Sequence, residues 1–146
     1  ANWNDQIARL GYDLFPDPET NTLRVRLHEQ ALAEIGIDYT AFIQIVGPDN
    51  PANNSPVWSQ IDSEPCRRYR PTSTWDTEEI LVDDLALAVP ETSVAGEYRL
   101  IMGFYEWQTL ARLPVLHPDP ADHVVLDRCT LEAGQTLWAC WTGTTE

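Results

Sequence analysis

The sequence predicts an all-β chain, an antiparallel β-sandwich of jelly-roll or immunoglobulin-like type with about eight strands. Three observations carry this. Residues 96–105 alternate, with Tyr98, Leu100, Met102 and Phe104 on one face and Arg99, Ile101, Gly103 and Tyr105 on the other. A period of two marks a half-buried strand rather than a helix. Short apolar runs recur along the chain, divided by Pro-, Gly- and Asn-containing turns at the spacing of a sandwich. No stretch holds a convincing helical period. A hairpin cannot bury its apolar face alone, so the rest of the chain must supply a facing sheet.

Taken in order, residues 6–15 form a short strand with Ile7, Leu10, Tyr12 and Leu14 as its apolar positions, ended by Pro16-Asp17-Pro18. Residues 22–28 alternate more cleanly, with Leu23, Val25 and Leu27 inward and Arg24, Arg26 and His28 outward. Residues 30–37 read as loop because of Gly36 and their short length. Residues 39–46 carry Tyr39, Ala41, Ile43 and Ile45 on one side and Phe42 and Val46 on the other, which predicts a central strand covered on both faces. Gly47-Pro48-Asp49-Asn50-Pro51 is turn chemistry, extended to Pro56 as an exposed loop. A short strand returns over residues 57–61. Residues 62–75 have no periodicity and two prolines, so they form a long ordered loop or crossover.

In residues 79–89, Ile80 and Val82 fall on one parity and Leu85, Leu87 and Val89 on the other. A bulge at Asp83-Asp84 is expected to reset the face. Residues 96–115 read as a hairpin turning at Glu106-Trp107-Gln108 and stopped by Pro114. A linker follows over 117–122, then a last strand over 123–127. The division is a sandwich over 1–128 and a tail over 129–146, read as an added edge strand or a partly ordered end.

The chain has 146 residues, 43% of them apolar, enough for one domain with a real core. No run approaches the roughly 20 apolar residues of a membrane helix, so direct insertion by this chain is not expected. The start at Ala1, without Met or a signal-like segment, is read as a processed protein or a domain of a longer one. The formal charge is −14, and all nine basic residues are arginine. That balance argues against a nucleic-acid partner and against anionic lipid. The plain reading of the acidity is solubility.

Cys66, Cys129 and Cys140 leave at least one thiol unpaired within the chain. Cys129 and Cys140 flank a possible hairpin around Ala133-Gly134 that would suit a cross-strand bridge. Pairing of Cys66 with either stays open, as do three free thiols.

The segments LRVRLHEQALAEIGIDYTAFIQIVGPDN (23–50), VWSQIDSEP (57–65), YRPTSTW (69–75) and AGEYRLIMGFYEWQTLARLPV (95–115) occur in that order. Together they resemble a soluble β-sandwich module at the C-terminal end of bacterial multi-spanning membrane proteins similar to dolichyl-phosphate-mannose-type glycosyltransferases. The resemblance covers roughly residues 5–127. It implies an extracytoplasmic module without catalytic residues or cofactors, joined to a membrane span outside this chain. Its partners would be a glycan or the membrane-embedded part of the same protein. The 51–56 insertion, the Arg67-Arg68 pair and the 129–146 tail depart from the pattern. An extracytoplasmic setting also permits a disulfide.

The 62–75 loop gathers the strongest candidates for ligand binding, Asp62, Tyr69, Arg70 and Trp75, with Trp58 from the preceding strand as a further aromatic face. Sugars bind through flat aromatic faces against their C–H surfaces, with carboxylates and guanidinium groups fixing the hydroxyls. The alternative, which the sequence favours, is that Trp75 and Pro71 plug one end of the sandwich while the arginines offset nearby acids. Trp107, at a hairpin tip, reads as an exposed contact point. Glu78-Glu79 and Asp83-Asp84 are adjacent on a strand and so point to opposite faces, which makes them poor acid/base pairs. The run His117 to His123 is read as a linker rather than a metal site. No nucleophile elbow, phosphate loop or dinucleotide fingerprint is present, and an enzyme is not expected. Three functions fit: an accessory domain of a membrane glycosyltransferase-like protein, a free-standing carbohydrate-binding module, or a structural or protein-interaction domain.

Overall fold

A computed structural model describes residues 1–141 of the chain. Nine strands are described: β1 (Asn2–Trp3), β2 (Ile7–Asp17), β3 (Thr22–Ala31), β4 (Tyr39–Asn50), β5 (Ser55–Ser63), β6 (Ile80–Ala88), β7 (Gly96–Glu106), β8 (Val115–His117) and β9 (Val124–Leu131). They form two antiparallel sheets, in the orders β6-β3-β2-β1-β8 and β5-β4-β7-β9. The expected sandwich is therefore present. With β2, β3 and β6 facing β5, β4, β7 and β9, the strand order follows the A-B-E and C′-C-F-G pattern of immunoglobulin-like sandwiches. A tyrosine corner accompanies it. The Tyr98 hydroxyl donates to the Val94 carbonyl at 2.8 Å and accepts from the Val94 amide at 3.1 Å, just before the strand in the F position.

The core follows the alternation that the sequence predicts. Leu23, Val25 and Leu27 from one sheet meet Ala41, Ile43, Ile45, Leu100, Met102 and Phe104 from the other, all buried. A smaller cluster of Phe42, Ile101 and Tyr105 lies on the outer face of the second sheet, so β4 is covered on both sides as expected.

Four expectations need correction. Leu10 is not a core residue: the β2–β3 register shifts between Arg9 and Gly11, and Leu10, at the bulge, is 53% exposed. The bulge expected at Asp83-Asp84 does not exist, because β3 and β6 pair without a shift from Thr22↔Ala88 to Gln30↔Ile80. Parity is kept instead by turning Ile80 and Val82 outward and Asp83 inward. The 96–115 hairpin does not run to Val115. After a short return, with Glu106 N–H to the Ala111 carbonyl at 2.9 Å and Leu113 N–H to the Phe104 carbonyl at 2.8 Å around a Tyr105↔Arg112 bridge, the chain leaves this sheet, and β8 pairs with β1 in the other. Pro114 has no N–H to extend the ladder, and β9 already pairs with β7 from Gly96 to Met102.

Finally, Cys129 lies within β9, and the residues that follow add no strand to the described structure. A turn near Gly134 leads to a 3-10 turn over Leu137–Cys140, with Leu137 fully buried. The Cys129–Cys140 disulfide fastens this turn to β9, while Cys66 is free. The remainder of the predicted tail, residues 142–146, lies outside the described residues.

Turning Asp83 inward gives the sandwich a buried acidic pair. Glu29 on β3 is 0% exposed and Asp83 on β6 is 2% exposed, and they lie diagonally across the ladder on the core side. Both Glu29 carboxylate oxygens lack a hydrogen-bond partner among the described residues, as does Asp83 Oδ2. Burial pushes the Glu29 carboxyl up to about 8, reinforced by Asp83 and opposed by Arg9. Asp83 is raised to about 6, again chiefly by burial, with a Cys66 N–H hydrogen bond at 2.9 Å working against the shift.

Candidate functional site

The five residues expected to form a binding loop do not converge. Trp58 and Trp75 are 8% and 3% exposed and belong to the core. Trp58 Nε1 donates to the Pro48 carbonyl at 2.7 Å, and its ring meets Tyr98 edge to face. Trp75 Nε1 donates to the Arg70 carbonyl at 2.8 Å. With rings enclosed and N–H groups satisfied, neither can serve as a platform for a sugar. Arg70 is engaged through two hydrogen bonds to the Glu79 carboxylate, at 2.9 and 2.6 Å, and one to the Thr74 carbonyl. Tyr69 is 85% exposed, on the crossover that leaves β5.

Asp62 is the predicted residue that reaches an organised site, and it does so from a strand. It lies near the end of β5 opposite Phe42, with Gln60 opposite Gln44 in the same register. These four side chains share the outer face of the β5-β4-β7-β9 sheet. Gln44 Nε2 donates to Gln60 Oε1 at 3.2 Å, Gln60 Nε2 to Asp62 Oδ1 at 2.8 Å, and the Tyr105 hydroxyl to Asp62 Oδ2 at 2.7 Å. The result is a polar ladder across three strands. Burial, then the bond to Asp62, pushes the Tyr105 phenol up to about 12, so it remains a donor at neutral pH.

Two adjoining clefts flank this ladder and share Asp62. One, of about 440 Å³, is bounded by Thr40, Glu64, Arg68 and Trp107. The other, of about 330 Å³, is bounded by Phe42, Gln44, Gln60, Tyr105, Leu110 and Arg112. Trp107 is 65% exposed, with its ring centroid 6.4 Å from that of Tyr105. This matches its expected exposure at a turn. Gly103 shapes the floor: a Cβ there would lie 2.6 Å from the Phe42 ring, so only glycine lets Phe42 lie against β7. Arg112 then covers Phe42 at 4.5 Å and pairs with Asp122 at 3.3 Å.

An apolar flat surface beside a row of fixed donors and acceptors suits a neutral polyhydroxylated ligand. Gln44, Gln60, Tyr105 and Arg112 escaped the sequence reading because they meet only through cross-strand register. The alternation of residues 39–46 and 96–105 was the available signal: it already placed Phe42 and Tyr105 on the faces away from the core.

No group of three or more His, Cys, Asp or Glu side chains fit to hold a metal exists among the described residues. No described helix is long and apolar enough to cross a membrane. No family model, curated protein or solved structure matches this chain.

Proposed function

We propose that this chain is a non-catalytic, extracytoplasmic glycan-binding sandwich serving as an accessory domain of a membrane glycosyltransferase-like protein. The observation that carries the binding role is the exposed Trp107 ring beside the Gln44–Gln60–Asp62–Tyr105 ladder. A pyranose laid against Trp107 would place its hydroxyls toward the Asp62 carboxylate and the glutamine amides. A binder needs fixed groups, and the ladder's three hydrogen bonds, two of them cross-strand and one along β5, hold them in place before any ligand arrives. The Cys129–Cys140 disulfide is compatible with an oxidising compartment and supports the extracytoplasmic part of the reading. The resemblance of residues 5–127 to such modules supports the accessory role.

Calorimetric titration against a panel of neutral oligosaccharides tests the binding role. At least one should bind saturably, and Trp107→Ala should weaken it at least about tenfold, because tryptophan anchors dominate such contacts. The exposed ring leaves stability within about 0.5 kcal/mol of the parent. Absence of binding across the panel, or full affinity in Trp107→Ala, overturns the proposal. The accessory role is tested separately by the reading frame that encodes the chain: without hydrophobic spans in it, a free-standing carbohydrate-binding module is what remains.

A further inference from the structure

A third cleft, of about 410 Å³, opens where β9 lies over the edge of the other sheet. Arg9, Arg99, Arg128 and His123 line it, with Asp119 as the acidic lining residue. Three of the chain's nine arginines therefore meet at one place in a molecule of net charge −14. The topology brings them together. Arg99 and Arg128 are register partners on β7 and β9, on the outer face of their sheet. Arg9 comes from β2, which is tied to β9 by a hydrogen bond from the Tyr12 hydroxyl to the Leu126 carbonyl.

The charge of these arginines is poorly compensated. Arg9 Nε and Nη1 are closed off from solvent and bonded to no described group, and its guanidinium rests over the Tyr12 ring at 5.2 Å. Glu29 stands opposite Arg9 in the β2–β3 register but forms no ion pair with it among the described residues. Because burial holds the Glu29 carboxyl protonated to about pH 8, it does not neutralise Arg9 at neutral pH. Arg99 makes no ion pair with any described residue. Arg128 reaches Glu97 only at 3.7 Å, with both side chains about 60% exposed. Arg99 and Arg128 each keep a fork of donors suited to an oxyanion, and Arg9, which also lines the cleft, adds its positive charge. A cleft in which three guanidinium groups face one carboxylate, that of Asp119, concentrates anions.

We propose that this cleft, held by Arg9, Arg99 and Arg128, binds an oxyanion group of a ligand: a phosphate, a sulfate or a sugar carboxylate. It stands apart from the Asp62 clefts, and its test does not depend on neutral-glycan binding.

The experiment follows the arginine Nε–H resonances by NMR during titration with inorganic phosphate, sulfate and glucuronate at low ionic strength. Saturable shifts should appear at Arg9, Arg99 and Arg128 with at least one of the three, at a dissociation constant of about 1 mM or below. The anion that saturates first assigns the class. The double variant Arg99→Gln, Arg128→Gln should weaken that binding at least about tenfold. A control pair of equal charge change, Arg24→Gln with Arg67→Gln, should leave it within about twofold. Lack of saturation by all three anions overturns the proposal. So does equal weakening in the control pair, which would mean general electrostatics rather than a site.

Discussion

Glu29→Gln makes the interior acidic pair measurable. The parent Glu29 carries a folded-state pKa near 8 against 4.5 for the free group. Below about pH 4.5 both folded and unfolded chains hold this proton, and its contribution to stability is fully present. As the pH rises, the unfolded chain ionises while the folded chain does not, so stability falls through the window from 4.5 to 8 and then levels. At 1.36 kcal/mol per unit, the fall between pH 5 and pH 8 is about 3 to 4 kcal/mol. Glutamine keeps the shape and removes the titration. Any cost of burying an unpartnered amide is independent of pH, so it drops out of the difference between two pH values.

The assay is urea unfolding of both chains from pH 5 to 8, followed by tryptophan fluorescence with the disulfide intact. The stability gap should move by about 3 to 4 kcal/mol in favour of Glu29→Gln between the two ends. Asp83 loses its own contribution between pH 3.8 and about 6, in both chains alike. Parallel profiles from pH 5 to 8 would refute the reasoning, since they would mean that Glu29 is ionised in the fold and balanced by Arg9.

Three further outcomes follow from the same structure. Replacing Cys129 and Cys140 by serine opens a crosslink between residues 11 apart and should cost about 3 kcal/mol in urea unfolding. Gly103→Ala drives a methyl group into the Phe42 ring and toward the Asp122 carbonyl, at 2.6 and 3.2 Å, and should destabilise by about 1 to 3 kcal/mol in the same assay. Tyr105→Phe removes the donor to Asp62, should cost about 1 kcal/mol, and should delete the phenol that ionises near pH 12 in an ultraviolet titration.

The sandwich was legible because local alternation and global burial agree over most strands. Leu23, Val25 and Leu27 point inward in sequence and in space, as do Tyr98, Leu100, Met102 and Phe104. The failure in β6 has one cause, which is that hydrophobic parity ignores what polar groups can tolerate. Ile80 and Val82 looked like core and Asp83 like surface. The uninterrupted β3–β6 ladder reverses both, and backbone pairing over nine register positions outweighs one buried carboxyl that can stay protonated. The residues of the candidate site were harder still. Trp58 and Trp75 carried the aromatic signal and went to the core, whereas Gln44 and Gln60 carried none. Their proximity exists only because Gln44 falls opposite Gln60 when β4 pairs with β5.

The hairpin that breaks off after Leu113 explains why the outer face carries clefts at all. Had residues 110–115 continued along β7, they would have formed an edge strand and left that face a plain sheet surface. Instead the chain turns at Trp107, sets Arg112 over Phe42, and crosses to β1 through Val115. It returns by way of Asp122, whose carboxylate meets Arg112 and whose backbone carbonyl lies beside Gly103. This excursion hides Phe42 under Arg112 and leaves Trp107 and Leu110 projecting. On one side of the Arg112–Asp122 pair lies the polar ladder; Ala121 and His123, flanking Asp122, belong to the arginine cleft. One irregular crossing thus separates the clefts around the Asp62 ladder from the arginine-lined one. The residues that deviate from sandwich regularity are the ones that give the face its chemistry.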